Sequence, residues 1–383
     1  MLQISSTLIK TNNELEQEFE DSFFKYAQKD GYYKHKDYYE LPRWVAECTY
    51  TLKNSFELEF KIITIDNFNK IPNLNRYDYI LFSVMDCNKH IIKRFIEQNM
   101  FCSTKTKFIM GGYTIIEDDT FQGIHQYVNI SNVDSIETMC KLLGVDYYYG
   151  LDYSLFNNEP TIPRLQLSKN CNFHCSFCTI DKGVVSLSHS QIINQCNGIN
   201  KLNHKLIYID DKTFFQDKKW NENLTLADYQ LHHSNFHDHY CGYIIQTSPK
   251  YLVHENIKNV FMNTNIKFVE IGLESYNDFI LQKYNKPFNI RTFNKAFSNV
   301  VNSCAKPILN IIIGNPDETD KSYFNTYQFL KKYINEIYTI NYTYYTNYKD
   351  ENNDGQQGIN LRPIDIKFRD EVLELFINKF NHD

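Results

Sequence analysis

Cys171-Asn172-Phe173-His174-Cys175-Ser176-Phe177-Cys178 sets three cysteines at C-x3-C-x2-C spacing. The octet follows Arg164 to Ser168, a run that reads as a strand. Three ligands within eight residues require a loop, and thiolates are soft donors suited to iron–sulfur clusters and to zinc. In a chain with ten cysteines, such a triplet arises by chance in roughly 1 of 100 sequences. Buried structural thiols need no such spacing. A zinc site completed by His174 or by a distant residue is the competing ligand reading. Three cysteines occupy three corners of a four-iron cluster and leave the fourth iron open to another ligand. The position directly after a strand, opening a β/α repeat, favours that cluster.

Working outward from the octet, short apolar runs alternate with helical patterns. After it, strands are expected at Leu206 to Ile209, Tyr243 to Gln246, Phe268 to Ile271, Ile308 to Ile313 and Tyr338 to Tyr342, with a closing helix at Val372 to Phe380. With Arg164 to Ser168 these make six β/α units, predicting a partial (β/α)6 TIM-type barrel with its ligand site at the strand C-terminal ends. Before the octet, Leu2 to Ile9, Phe60 to Ile65, Tyr77 to Val84, Lys107 to Met110 and Tyr127 to Ile130 read as strands, and Val45 to Asn54 and His90 to Gln98 as helices. This pattern predicts an α/β, Rossmann-like open parallel sheet. The stretch Asn13 to Tyr39 interrupts it and reads as a partly helical insertion. The polar, proline-bearing join Asn157 to Pro163 divides the chain into domains at 1–155 and 156–383.

Composition narrows the class. The chain has 383 residues, 42% hydrophobic and 22% charged, which suits two folded domains rather than a disordered chain. A net charge of −6 without a polybasic run gives no strong nucleic-acid signal. No apolar stretch is long enough to span a bilayer, and the opening MLQISSTLIKTNNELEQEFE lacks the pattern of a secretory signal, so a cytoplasmic location is expected. There, cysteines read as buried thiols and a metal site rather than as disulfides. His232, His233, His237, His239 and Cys241 cluster in a polar stretch whose spacing fits no standard metal site. The tyrosine-rich run Tyr338 to Tyr348 reads as core packing, with base stacking the minority alternative.

The second segment resembles the radical S-adenosylmethionine superfamily through several elements in order. Phe177, the aromatic residue before the third cysteine, is where that family places a ring beside adenine. Tyr208-Ile209-Asp210-Asp211-Lys212-Thr213-Phe214 resembles the family's second-strand end, whose acidic residues hold the methionine amine. Val269-Glu270-Ile271-Gly272-Leu273-Glu274-Ser275 is similar to its G-x-E-S element, and Ile313-Gly314-Asn315-Pro316-Asp317-Glu318-Thr319 to its G-x-P-x-E-T element. Each also reads as an ordinary strand-to-helix turn or cap. The resemblance implies a 4Fe–4S cluster on Cys171, Cys175 and Cys178, with S-adenosylmethionine bound by Phe177, Asp210, Asp211, Glu274, Ser275 and Gly314. It further implies reductive cleavage to a 5′-deoxyadenosyl radical and a flavodoxin- or ferredoxin-type electron donor.

The first segment resembles the cobalamin-binding domain that precedes many such enzymes. The matching residues are Ser83, in Leu81-Phe82-Ser83-Val84-Met85, and Gly111 and Gly112, in Ile109-Met110-Gly111-Gly112-Tyr113. Small residues at strand ends let a planar cofactor approach the sheet edge. The D-x-H-x-x-G loop of that fold is absent, and bulky Met85, Asp86 and His90 follow Ser83. A domain that only packs on the barrel is therefore the alternative. The resemblance implies methylation of an unactivated carbon or phosphorus centre. The alternatives are cobalamin-independent rearrangement, oxidation or cyclisation and, from another class, a non-catalytic iron–sulfur or zinc sensor or scaffold. Relatives that transfer a methylthio group carry a further cysteine triad, for which Cys48, Cys87, Cys102 and Cys140 give no local signature. No motif names a catalytic residue that directs the radical, or indicates the substrate or oligomeric state.

Overall fold

The computed structural model describes residues 1–6, 13–29, 42–63, 74–84, 89–99, 105–112, 121, 129–156, 162–202, 204–232, 242–345 and 361–382. Five parallel strands form the first sheet: β1 (Leu2–Ser6), β2 (Glu59–Ile63), β3 (Tyr79–Ser83), β4 (Lys107–Gly111) and β5 (Asn129–Val133), in the order β2-β1-β3-β4-β5. Helices α1 (Glu14–Lys29), α2 (Arg43–Leu52), α3 (Lys89–Asn99) and α4 (Ile136–Leu143) accompany it. The strand order reverses between β1 and β3, the switch point at which open α/β sheets place ligands. Phe82, Phe108 and Met110 pack on Phe95 and Ile96 on one face, and Leu81, Ile109 and Val133 pack on Cys48, Leu52 and Cys140 on the other. Buried on both faces, β3 and β4 carry continuous apolar runs, which makes them legible in the sequence.

The second sheet is also all parallel, in the order β13-β12-β11-β10-β9-β6. Its strands are β6 (Arg164–Leu165), β9 (Leu206–Ile209), β10 (Gly242–Thr247), β11 (Ile266–Glu274), β12 (Lys306–Ile313) and β13 (Thr339–Tyr344). Between them run α5 (His189–Ile199), α6 (Trp220–His232), α7 (Pro249–Leu252), α8 (Ile257–Thr264), α9 (Asp278–Lys283), α10 (Ile290–Val301) and α11 (Asp320–Lys332), with α12 (Pro363–His382) at the end. This is the expected six-unit partial barrel. One departure matters: β6 stops at Leu165, and Ser168–Lys169 (β7) turns away to pair antiparallel with Val185–Ser186 (β8). Side chains replace the lost ladder. The Gln166 N–H donates to Gln195 Oε1 at 3.0 Å, and the Leu167 and Ser168 N–H groups donate to Asp211 Oδ1 at 2.8 and 3.0 Å.

The stretch that interrupted the sequence pattern has a packing role. Helix α1 leaves the first sheet and lies on the barrel edge, with Phe19 against Tyr342 and Phe380, and Phe23 edge-on to Tyr338. Its Ala27 joins Leu206, Tyr208, Ile244, Phe268 and Ile308 in one cluster, so α1 covers the face of the sheet that α5 and α10 leave bare. Glu16, nearly buried, is satisfied by the Tyr344 hydroxyl and by Arg369 at 3.6 Å. Tyr338 is itself buried in this core.

The segment joining the sheets is pinned on both sides. The Asp152 N–H donates to Ala46 O, its carboxylate pairs with Lys53 at 2.6 Å, and Asn194 Nδ2 donates to Tyr149 O. A Cβ at Gly198, inside α5, would stand 2.1 Å from the Leu151 carbonyl oxygen. Alanine favours a helix interior over glycine by about 1 kcal/mol, but an overlap with fixed backbone costs about 1–3 kcal/mol. The overlap should win, so Gly198→Ala is expected to lower the denaturant midpoint of unfolding. A raised midpoint would show that the two sheets separate here at little cost.

Candidate functional site

The cysteine loop has little regular structure and is fastened at three places. On its own ribbon, Cys171 N donates to Asp181 O at 3.1 Å, and Asn170, left-handed at φ 66°, donates through Nδ2 to Gly183 O. Beyond β9, Gln216 accepts from Asn172 N at 2.7 Å and donates through Nε2 to Cys171 Sγ at 3.0 Å. At the end of α9, Tyr284 O accepts from Ser176 N, Lys283 O accepts from Ser176 Oγ, and Asn285 Nδ2 donates to His174 O at 2.7 Å. Backbone with no ladder of its own thus finds partners from distant elements.

These bonds hold the three cysteines close enough for Cys171 and Cys178 to act on the Cys175 thiol. Cys171 is buried, and Cys175 and Cys178 are half-buried. Burial raises the Cys175 thiol, the Lys286 ammonium opposes that rise, and Cys178, Glu274 and Cys171 reinforce it. Three adjacent thiolates would repel, and a bound iron core would offset that repulsion. The Cys171 sulfur also receives the Phe173 N–H at 3.4 Å, a hydrogen bond of the kind that tunes cluster sulfurs. His174 is exposed, and among the described residues no group of His, Cys, Asp and Glu closes a single-ion cage. Three thiols on one short loop are a donor set of the kind that suits a four-iron cluster. Cys48, Cys140 and Cys196 are buried thiols, the last pushed up to about 12 by burial, and Cys304 is exposed. Residues 233–241 of the histidine-rich stretch, and Met85 and Asp86, lie outside the described residues.

The other expected residues stand at strand ends around this loop, in different states. Asp210 pairs with Arg164 at 3.0 Å and with Lys212 at 3.5 Å. Asp211 faces inward: it accepts from two backbone N–H groups and from Ser168 Oγ at 2.6 Å, so it fastens the strand end that delivers Cys171. Desolvation raises its carboxyl to about 6 against those three donors, with Asp210 adding to the rise. Glu274 ends β11 in the left-handed region at φ 62°, a strained conformation for a residue with a side chain. Its carboxylate pairs with Lys286 at 2.6 Å, both side chains about 10% exposed. A Cβ at Gly272 would meet that carboxylate at 2.7 Å and press on its end. Lys286 also lies 5.0 Å from the centre of the Phe177 ring, which meets Tyr284 edge-on. Ser275 is buried beside the Glu318 carboxyl, and Gly314, at φ 93°, donates its N–H to the Tyr323 hydroxyl.

Lys286 and Gln216 were not found from sequence. Each lies in a turn without a motif, and only packing brings it to the sulfurs. In the first sheet, Ser83 and Gly111 are partners in register at the ends of β3 and β4. Gly112 is demanded by packing, since a Cβ would fall 2.0 Å from Val84 O. Gly111 is different: a Cβ there meets Val133 Cγ2 at an ordinary 3.5 Å. Packing among the described residues does not require glycine at 111.

This architecture, a five-stranded parallel sheet followed by a six-stranded parallel partial barrel, is similar in fold to solved structures. Two solved proteins carry the likeness. OxsB, a cobalamin-dependent S-adenosylmethionine radical enzyme solved with aqua-cobalamin and S-adenosylmethionine, is similar with a TM-score of 0.58 at 14% identity, over 99% of this chain and 56% of its own. TsrM from Kitasatospora setae, a radical S-adenosylmethionine methyltransferase solved with cobalamin and a [4Fe-4S] cluster, is similar with a TM-score of 0.59 at 9% identity, over 90% of this chain and 71% of its own. This chain thus spans little more than half the length of OxsB. No protein-family model matches the sequence, and no curated protein matches it.

Two outcomes follow from the carboxylates. Lys286→Met leaves Glu274 buried without its partner and should cost about 3 kcal/mol of stability or more. The double variant Glu274→Gln/Lys286→Met should recover most of that loss in denaturant titrations. Asp211 has its folded pKa raised from 3.8 to about 6, so its contribution is fully present below pH 3.8 and is lost as pH rises through about 6. The stability difference between the native chain and Asp211→Asn should therefore change across that window and be flat above it.

Proposed function

We propose that this chain is a radical S-adenosylmethionine enzyme that binds a 4Fe–4S cluster on Cys171, Cys175 and Cys178. The observation that carries the reading is the triply fastened cysteine loop at the strand C-terminal ends of a parallel partial barrel. When bound, the cluster supplies the electron that cleaves the sulfonium of S-adenosylmethionine to a 5′-deoxyadenosyl radical. The chain's own residues bind and orient. Lys286 and Glu274 form a pair whose two charges match the carboxylate and amine of a methionine moiety. Asp210, fixed by Arg164, offers a second anionic position for the amine or a ribose hydroxyl. Phe177 presents its ring beside them as a flat contact for adenine, and Ser275 and Gly314 line the neighbouring strand ends. A sensor or scaffold would have no use for paired charges and an aromatic ring beside the cysteine loop.

Cobalamin-dependent methylation of an unactivated centre is the proposed outcome, supported by the switch point between β1 and β3 and by Gly111. Ser83, Gly111 and Gly112 would then face the cofactor at the sheet edge. The second reading is a hydrogen abstraction that makes no use of cobalamin; Gly112 favours it, because packing alone accounts for that residue. The proposed electron donor is a flavodoxin or ferredoxin. Lys250 beside Phe173 and Lys283 beside the exposed Phe279 give the loop's surroundings the basic and apolar character that suits an acidic partner.

Anaerobic purification from cobalamin-fed cells, with absorbance and mass spectrometry, tests both parts. About one cobalamin per chain beside the cluster supports methylation, and a cluster without cobalamin supports hydrogen abstraction. With a reductant, the loaded protein should release 5′-deoxyadenosine, and Cys175→Ala should abolish both cluster and release. Cleavage retained in that variant would defeat the ligand assignment.

A further inference from the structure

The C-terminal helix reaches back to the end of β12 through a network that no motif announces. Arg362, the residue before α12, donates from Nη1 to Pro316 O at 3.0 Å and from Nη2 to Asn315 O at 2.9 Å. The same guanidinium closes on the Asp365 carboxylate at 2.8 and 3.0 Å. Asp365, 1% exposed, also accepts the Tyr323 hydroxyl at 2.7 Å. That hydroxyl in turn accepts the Gly314 N–H at 3.0 Å, and its ring stacks on Phe368 at 4.2 Å between centres. Leu361 closes over Gly314, where a Cβ would meet Leu361 Cδ2 at 2.8 Å. Among the described residues the register of β12 ends at Ile313, and Gly314 is in the left-handed region. The backbone polar groups of Gly314, Asn315 and Pro316 are held from α11 and α12.

We infer that Arg362 is a positioning residue for S-adenosylmethionine, acting by clamping the Gly314-Asn315-Pro316 loop from the start of α12. The inference rests on the proposed function, in which that loop lines the nucleoside pocket. Neutralising the guanidinium removes two carbonyl partners and the partner of a buried carboxylate in one change. The loop must then be ordered by the ligand itself, and affinity falls by the population of the ordered state.

Two readouts separate the clamp from the reading on which it rests. In the chain without cluster or ligand, Arg362→Gln should speed amide hydrogen exchange across Gly314 to Glu318. Arg369→Gln, which breaks the contact of α12 with Glu16 on α1, should not. In cluster-loaded protein, equilibrium dialysis with S-adenosylmethionine should show a dissociation constant raised about tenfold for Arg362→Gln. It should be unchanged for Arg369→Gln, with equal iron per chain in both. Arg362→Lys keeps the charge without the fork and should fall between, which keeps the test valid where the glutamine variant folds poorly. Unchanged exchange in both Arg362 variants would overturn the clamp. Faster exchange with unchanged affinity would overturn the positioning role. A native chain that takes up a cluster yet binds no S-adenosylmethionine would overturn the proposed function and the positioning role together, while the exchange result still judges the clamp.

Discussion

Three thiolates brought together on one short loop repel one another, and the loop that carries them has no ladder to resist. The structure answers with partners borrowed from elsewhere. Asp211 and Gln195 capture the backbone where β6 ends, Gln216 holds Asn172 and Cys171, and Tyr284, Lys283 and Asn285 hold the far side. These partners come from α5, from the segment after β9 and from the end of α9, so the loop keeps its shape only while those separate units are docked together. A buried Asp211 is tolerated for the same reason: its three donors offset part of the desolvation that raises it.

The same dependence explains what was legible in the sequence. Parallel strands buried on both faces must be apolar throughout, so Leu206–Ile209 and Ile308–Ile313 announced themselves by composition. The C-x3-C-x2-C spacing and the small or acidic residues at strand ends marked the site, because they are local in the chain. Lys286, Gln216 and Arg362 were not legible. Their roles depend on which loops meet in space, and a lysine or glutamine in a polar turn carries no periodic signal. Asp211 was legible as a residue but not as a role, since only packing distinguishes an acid that faces a ligand from one that captures two amides.

Helix α1 shows the limit of reading by segments. Its charged and aromatic residues broke the β/α alternation of the first sheet and looked like an insertion. In the fold they serve the other sheet, where Phe19, Phe23 and Ala27 cover the barrel's open face and Glu16 meets Tyr344 and Arg369. An incomplete barrel exposes an edge and an inner face that must be covered. Here the preceding domain supplies the cover, and the pinned stretch between Tyr147 and Phe156 fixes the geometry in which it does so.

The central claim is that the three sulfurs hold a four-iron cluster whose remaining iron is open to S-adenosylmethionine at the barrel mouth. Electron paramagnetic resonance of the reduced, cluster-loaded chain with and without S-adenosylmethionine tests this most directly. The account predicts a four-iron signal that shifts on addition and that couples to labelled amine nitrogen and carboxylate oxygen of the methionine moiety. A four-iron signal indifferent to S-adenosylmethionine, or zinc retained in place of iron, would contradict it.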